Sequence, residues 1–184
     1  MEFMLCAALL AADEPNDWYF SGGGYSEEIE IDFDLSGSTG ESPKETGLRF
    51  GFGKSLNEKF NLEFEYGSNE WTYSDLDSSG KIDYTHFGAM IGYKIPVDES
   101  FTIVPKVGFG FTNWGISVSE IGLGSISVSD TDITFKFGVH AEYAISESVT
   151  AQIGYRMETT PFDYLGVSGD FDSSGLLFGA NFSF

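Results

Sequence analysis

From Leu48 to the last residue, apolar and polar side chains alternate with a period of two, the mark of strands whose two faces meet different surroundings. Leu48, Phe50 and Phe52 share one face, opposite Arg49, Gly51 and Gly53. Phe60, Leu62, Phe64 and Tyr66 then oppose Asn61, Glu63, Glu65 and Gly67, and Phe87, Ala89, Ile91 and Tyr93 oppose His86, Gly88, Met90, Gly92 and Lys94. Three further stretches repeat the pattern: Phe101 to Phe111 against Thr102 to Thr112, Ile133 to Tyr143 against Thr134 to Glu142, and Val149 to Met157 against Thr150 to Glu158. The chain closes with Leu176, Phe178, Ala180, Phe182 and Phe184 opposite Gly175, Leu177, Gly179, Asn181 and Ser183. A first strand starts near Trp18 and runs to Ile29, Ile31 and Phe33, where Gly22-Gly23-Gly24 predicts a bend or a bulge.

These eight strands are joined by links of two kinds. Short turns fall near 55–58, 96–100 and 145–147, and longer links rich in Gly, Ser and Asp fall near 35–46, 74–82, 115–130 and 160–172. Alternation of short and long links, with an even strand number, predicts an all-β fold, an eight-stranded antiparallel transmembrane up-and-down β-barrel over residues 17–184. Pro105 predicts a bulge or a strand end, since a closed barrel has no edge on which a missing N–H is harmless.

Periodicity alone leaves two ways to orient the faces, lipid outside a polar lumen or water outside an apolar pocket. Charge separates them. On the second to eighth strands the apolar face carries no charge, whereas the opposite face carries Arg49, Lys94, Lys106, Lys136 and Arg156 beside Glu63, Glu65, Glu142 and Glu158. One face is thus nearly neutral and charge-paired in a chain whose formal net charge is -20. A soluble barrel would spread its surplus acid over its outer wall. A face without charge fits lipid contact, because a charge at mid-membrane costs about 2–4 kcal/mol. Aromatic residues near the strand ends predict interfacial girdles, with Tyr93, Phe101, Tyr143 and Phe184 on the turn side and Trp71, Tyr73 and Tyr84 on the loop side.

With 9 Lys+Arg against 29 Asp+Glu, the chain cannot offer a phosphate-binding surface, which excludes nucleic acid as a partner. Its one cysteine, Cys6, sits in the apolar stretch Phe3–Ala12, so residues 1–12 read as a signal-peptide-like segment, although Glu2 replaces the usual basic residue and Leu10 occupies the −3 place. Export would leave a mature chain without thiols, as suits an oxidising compartment.

Gly138-x-x-x-Glu142-Tyr143-Ala144-Ile145, then Val149 and Gly154-Tyr155-Arg156, resembles the penultimate hairpin of the outer-membrane barrel family of OmpA-like, OmpX-like and opacity-type proteins. Leu176-x-Phe178-x-Ala180-x-Phe182-x-Phe184 is similar to that family's C-terminal assembly signal. The resemblance implies residence in the bacterial outer membrane, contact with its lipid and lipopolysaccharide, and insertion by the outer-membrane assembly machinery. It implies no particular activity. Tethering to peptidoglycan, as by the additional domain of full-length OmpA-type members, is not expected of the barrel sequence itself.

The densest polar grouping is luminal: His140 and Glu142, Arg156 and Glu158, with Lys136 nearby. It reads as an ion-paired plug, the alternatives being an ion path or an acid/base site. No Ser-His pair stands out, so no catalysis is expected. The motif Asp-x-Asp-x-Ser-Gly occurs at 32–37, 75–80 and 170–175. Asp75, Asp77, Asp170 and Asp172 thereby resemble the opening of a calcium loop, but no closing Glu follows and the same residues start ordinary turns. No cofactor is expected beyond weak Ca²⁺ or Mg²⁺ binding there. The reading is a monomeric structural or surface-interaction barrel with an unidentified ligand of its outer loops. The alternatives are a small low-conductance channel and a soluble secreted ligand-binding barrel.

Overall fold

Alternating chains close into barrels when every strand finds two neighbours, and this one does. The computed structural model describes residues 18–33, 44–74, 78–120, 124–164 and 167–184; residues 1–12 and the pair Asp75 and Asp77 lie outside them. Its strands are β1 (Trp18–Phe33), β2 (Lys44–Ser55), β3 (Phe60–Ser74), β4 (Ser78–Tyr93), β5 (Ile95–Pro96), β6 (Phe101–Glu120), β7 (Gly124–Ala144), β8 (Val149–Tyr164) and β9 (Val167–Ser183). Each pairs antiparallel with its neighbours, β1 with β9 and β4 with β6, so the sheet is closed. The two-residue β5 continues β4 in one register, as Gly92↔Lys106 and Ile95↔Ile103 show, so there are eight staves.

The turn end is built three times from one device. Asn57 Oδ1 accepts from the amides of Lys59 and Phe60 at 2.8 and 2.9 Å, and Asp98 Oδ1 accepts from Ser100 and Phe101, both at 2.8 Å. Ser146 Oγ accepts from the amide of Ser148 at 3.4 Å. A short polar side chain bonding the backbone ahead of it is what makes Asn, Asp and Ser initiate turns.

The apolar face looks outward. Val107, Phe109 and Phe135 are 60%, 61% and 60% exposed, while Lys106 and Lys136 on the other face are 1% and 2% exposed. This removes the soluble-barrel reading. On β6 and β7 the outward apolar run extends from Phe101 to Phe111 and from Ile133 to Tyr143. About ten residue steps at ~3.4 Å and a tilt of ~40° give a band about 25 Å tall, the height of the lipid-facing belt of an outer-membrane barrel. Just past that band, all eight staves change on the same outward row to Ser26, Thr46, Ser68, Thr85, Asn113, Thr131, Thr159 and Ser174. Ser68 and Thr85 share a hydrogen bond at 3.3 Å, and Asn113 donates to Thr131 at 3.0 Å. This ring marks where lipid gives way to water.

Several expectations fail at that ring for one reason. The Ser- and Asp-rich segments expected as long loops near 74–82, 115–130 and 160–172 are largely strand: β6 and β7 pair up to Glu120↔Gly124, and β8 and β9 up to Tyr164↔Val167. Above the membrane the wall meets water, so the outward row becomes Ser, Thr and Asp and the inward row becomes apolar. Trp114, Phe162 and Phe171 are buried there, packed against Ile116 and Val128. The third Asp-x-Asp motif is accordingly no turn; Asp170 and Asp172 lie within β9. Tyr84 is no girdle residue. It points inward, 2% exposed, and donates to Glu158 at 2.8 Å. The side chains of Trp71 and Tyr73 lie outside those described.

Gly22-Gly23-Gly24 forms no bulge, since β1 keeps one register against β2 from Trp18↔Lys54 to Glu28↔Lys44 and one against β9 throughout. The need there is close approach: a Cβ on Gly23 would lie 2.3 Å from the Phe178 carbonyl oxygen. Pro105 likewise makes no bulge and ends no strand, and β6 passes straight through it. Its missing N–H shows in the facing strand, where the ladder skips Tyr93, opposite Pro105, and Lys94 and resumes at Ile95.

The row of hydroxyls predicts a sharp boundary. Val107→Arg, inside the band, should destabilise the inserted barrel by about 2–4 kcal/mol, and Ser117→Arg, above the ring, by less than about 1 kcal/mol. Urea titration of the barrel in lipid vesicles measures both.

Candidate functional site

The lumen is filled in tiers, each set by strand parity. Nearest the turns, Glu63 Oε2 accepts from Lys106 Nζ at 2.9 Å and from Tyr19 Oη at 3.0 Å, and Glu63 Oε1 accepts from Ser21 at 3.2 Å. Asn61 donates to Tyr19 Oη at 2.9 Å, and His140 Nδ1 lies 3.3 Å from Gln152 Oε1. Glu142 is buried in this tier, 9% exposed, beside Asn181 and Lys106. Lys94 stands apart at the periplasmic rim, half-buried, and donates to Ser55 Oγ at 2.7 Å.

The middle tier is a closed ion cluster. Glu65 receives Arg156 Nη2 at 2.6 Å, Lys136 Nζ at 2.9 Å and Arg49 Nη1 at 3.5 Å. Glu158 receives Arg49 Nη1 at 2.8 Å, and Lys136 Nζ and Arg156 Nη1 at 3.4 Å each. Glu27, joined to Arg49 at 3.2 Å and to Ser173 at 2.9 Å, completes three anions against three cations. All six are buried. Charges this deep are tolerated only when each finds a counter-charge and hydrogen bonds, and the neutral count supplies that condition.

Glycine makes the room. A Cβ on Gly67 would sit 2.3 Å from the His86 ring, one on Gly154 would sit 2.6 Å from the His140 ring, and one on Gly53 would sit 2.3 Å from the Tyr19 ring. The luminal row therefore alternates long charged side chains with positions that have none.

Above the cluster, Thr112 bonds Thr134, and Thr134 bonds Thr160 at 2.7 Å, all three buried. Trp114 then packs tilted against Phe171 at 4.9 Å and Phe162 at 5.6 Å between ring centroids, with its Nε1 donating to Asp132 at 2.8 Å.

The grouping of His140 and Glu142 with Lys136, Arg156 and Glu158 into one constellation is divided by the structure between two tiers. Glu27, Tyr19 and Tyr25 join the lumen although the sequence reading singled none of them out. Continuing the two-residue parity down β1 from Trp18 places all three inside. Glu65, His86 and Glu158 hold potential metal-ligating atoms within 4.8 Å of one another. The space between those atoms is already taken by Arg49, Lys136 and Arg156, and Arg49 Nη1 lies 2.9 Å from His86 Nε2. A metal ion would have to displace cations already paired there, so the trio reads as part of the ion cluster. Among the described residues, neither histidine has a serine as a hydrogen-bond partner.

A closed barrel with a lipid-facing belt and a charge-neutral lumen defines an integral membrane β-barrel of the outer-membrane type. The chain belongs to the outer membrane protein beta-barrel domain family, whose model matches residues 3–184. No curated protein matches it by sequence. Among solved structures it is similar to Neisserial surface protein A, at 17% identity and TM-score 0.61, covering 94% of this chain and 100% of that one. It is similar also to Ail, the attachment invasion locus protein of Yersinia pestis, at 12% identity and TM-score 0.58, covering 90% and 99%. OprG from Pseudomonas aeruginosa matches at 14% identity and TM-score 0.57, covering 93% and 97%. At these identities the likeness carries the fold. The chain is thus a bacterial outer-membrane protein.

Removing one carboxylate from the cluster leaves buried cations unbalanced. Glu65→Ala should destabilise the barrel by about 3–5 kcal/mol, the cost of breaking a buried pair from one side. Glu28→Ala, exposed on the outer wall, should cost less than about 0.5 kcal/mol. Loss of heat-modifiable gel mobility against urea concentration reads both.

Proposed function

We propose that this protein is a structural and surface-interaction barrel of the outer membrane, without catalysis and without conduction. The observation that carries this is the filled lumen. Between the two lower tiers, lined by Ser21, Arg49, Glu63, Glu65, His140 and Arg156, the residual cavity is only about 10 Å³. That is room for no more than one water molecule. The threonine tier and the aromatic tier lie above it, so solute would have to part three different kinds of packing. The luminal charges, Arg49, Glu63, Glu65, Lys106, Lys136, Glu142, Arg156 and Glu158, serve in this reading to close the barrel, and Lys94 trims its rim.

The same reading gives the remaining parts their roles. Residues 1–12 act as the export signal ahead of the barrel. Leu176, Phe178, Phe182 and Phe184 line the lipid side of the closing strand, 52–57% exposed, where the assembly machinery can grip them before β9 meets β1. Phe184 stacks on Phe20 at 5.2 Å across that seam. The working form is a monomer in contact with lipopolysaccharide, and what the protein meets outside the cell it meets through the strands above the hydroxyl ring.

Planar-bilayer recording tests the closed lumen. Barrel shown to be inserted by heat-modifiable mobility should give a silent trace. Discrete, reproducible steps would make solute passage the function, and their ion selectivity should then change in Arg156→Gln or Lys136→Gln.

A further inference from the structure

Above the hydroxyl ring the ladder is interrupted twice. β7 and β8 pair from Ala144↔Thr150 only as far as Phe135↔Thr159, although both strands run on. β2 and β3 part beyond Leu48↔Ser68, although they continue to Lys44 and Ser74. Between these two seams pairing is unbroken. On one side it reaches Ser74↔Ser79, Ser78↔Glu120 and Glu120↔Gly124. On the other it reaches Glu28↔Lys44, Phe33↔Gly169 and Tyr164↔Val167. The upper wall is therefore two four-stranded sheets, β3-β4-β6-β7 and β2-β1-β9-β8, rising from one cylinder.

Each seam opens where a particular residue stands. The amide of Ile145 donates to Val149, so alternation along the antiparallel ladder turns the odd-numbered residues of β7 and β8 toward each other. The next reciprocal pair above the ring would be Ile133↔Pro161, and Pro161 has no N–H to give. At the other seam Tyr25 of β1 passes over Gly47, where a Cβ would lie 2.3 Å from its ring, and donates to the Ser68 carbonyl at 3.1 Å. Ser68 is the last residue of β3 that pairs with β2.

Below the seams the two halves are bound tightly. Arg49 of one half meets Glu65 of the other, Lys136 meets Glu158, and Tyr84 donates to Glu158 at 2.8 Å. At the root of the β7–β8 seam Thr134 bonds Thr160 at 2.7 Å. Higher up the halves meet through aromatic rings. Trp114 of β6 packs against Phe171 and Phe162 of the facing sheet, at 4.9 and 5.6 Å. Each side braces its own rings: Trp114 donates to Asp132 at 2.8 Å, and Phe162 lies 4.8 Å from Phe171. Parting the two sheets would thus break ring contacts but no ladder rung among the described residues. Regions held by few buried contacts open at low cost, and two internally laddered sheets on a fixed root can move as rigid bodies about a hinge.

We propose that the upper wall is a two-jawed mouth, hinged at the hydroxyl ring and latched by Trp114 against Phe162 and Phe171. With the latch closed, the rings cover Thr112, Thr134 and Thr160, all fully buried. With it released, the jaws part at the two seams and the threonine tier opens to the outside. The ion cluster beneath stays shut.

The test is double electron–electron resonance on the full barrel in lipid nanodiscs, with Cys6→Ser so that only the introduced thiols take label. One spin label goes on each jaw, at Ser129→Cys of β7 and Asp163→Cys of β8, both exposed positions. A second pair, Phe109→Cys and Ile153→Cys, lies in the lipid band below the hinge. Trp114→Ala should move the mean distance between the jaws outward by about 5 Å and leave the lower pair in place. Trp114→Phe, which keeps a ring in the latch, should stay with the parent. Heat-modifiable mobility confirms that each variant is folded. An unchanged jaw distance in Trp114→Ala, a lower pair that moves with the jaws, or a phenylalanine variant as open as the alanine one would overturn the proposal. The result is independent of the bilayer recording, because the latch lies above the ion cluster that closes the lumen.

Discussion

A backbone amide in hydrocarbon has nothing to bond but another strand, and nearly everything about this barrel follows from that constraint. It requires closure of the ladder through the lipid band, and the ladder is closed there from β1 round to β9. It also governs where proline is tolerated. Pro105 costs one rung near the periplasmic rim, and pairing resumes at Ile95↔Ile103. Pro161 lies above the hydroxyl ring, where water can take the orphaned groups, and there the ladder is free to end.

Closure in turn traps a row of side chains inside a narrow tube, where they are buried. Their charges must cancel locally, and they do: Arg49, Lys136 and Arg156 against Glu27, Glu65 and Glu158. Glycine at alternate luminal sites lets long side chains cross the bore to reach partners on distant staves. Among the described residues the interior is given to balancing charge, with a cavity of about 10 Å³ between the two lower tiers, which is why the reading of function moves to the outer surface.

Where the wall leaves the membrane its chemistry reverses. Below the ring the apolar row faces out and the polar row faces in; above it, Ser117 and Ser127 face out while Trp114, Phe162 and Phe171 pack inside. One chain therefore joins a membrane-type barrel to the base of a water-type one, with the outward row turning to Ser, Thr or Asn at one position on every stave.

The sequence by itself determined the staves within the lipid band, their facing and the short turns, because a period of two with charge confined to one face has one physical meaning in a bilayer. It also pointed to the luminal charges of the strands after β1, since parity together with a charge-free face decides that, while Glu27 on β1 went unread. What it could not decide is which of them meet. Arg49 and Glu158 are brought within 2.8 Å by closure of the cylinder, a condition that no local pattern carries. The upper strands escaped notice for a related reason. Ser, Asp and Gly in those segments are the composition of turns, and only the surrounding water and the facing sheet make Ser-Ile-Ser-Val-Ser a strand and leave one of its edges open.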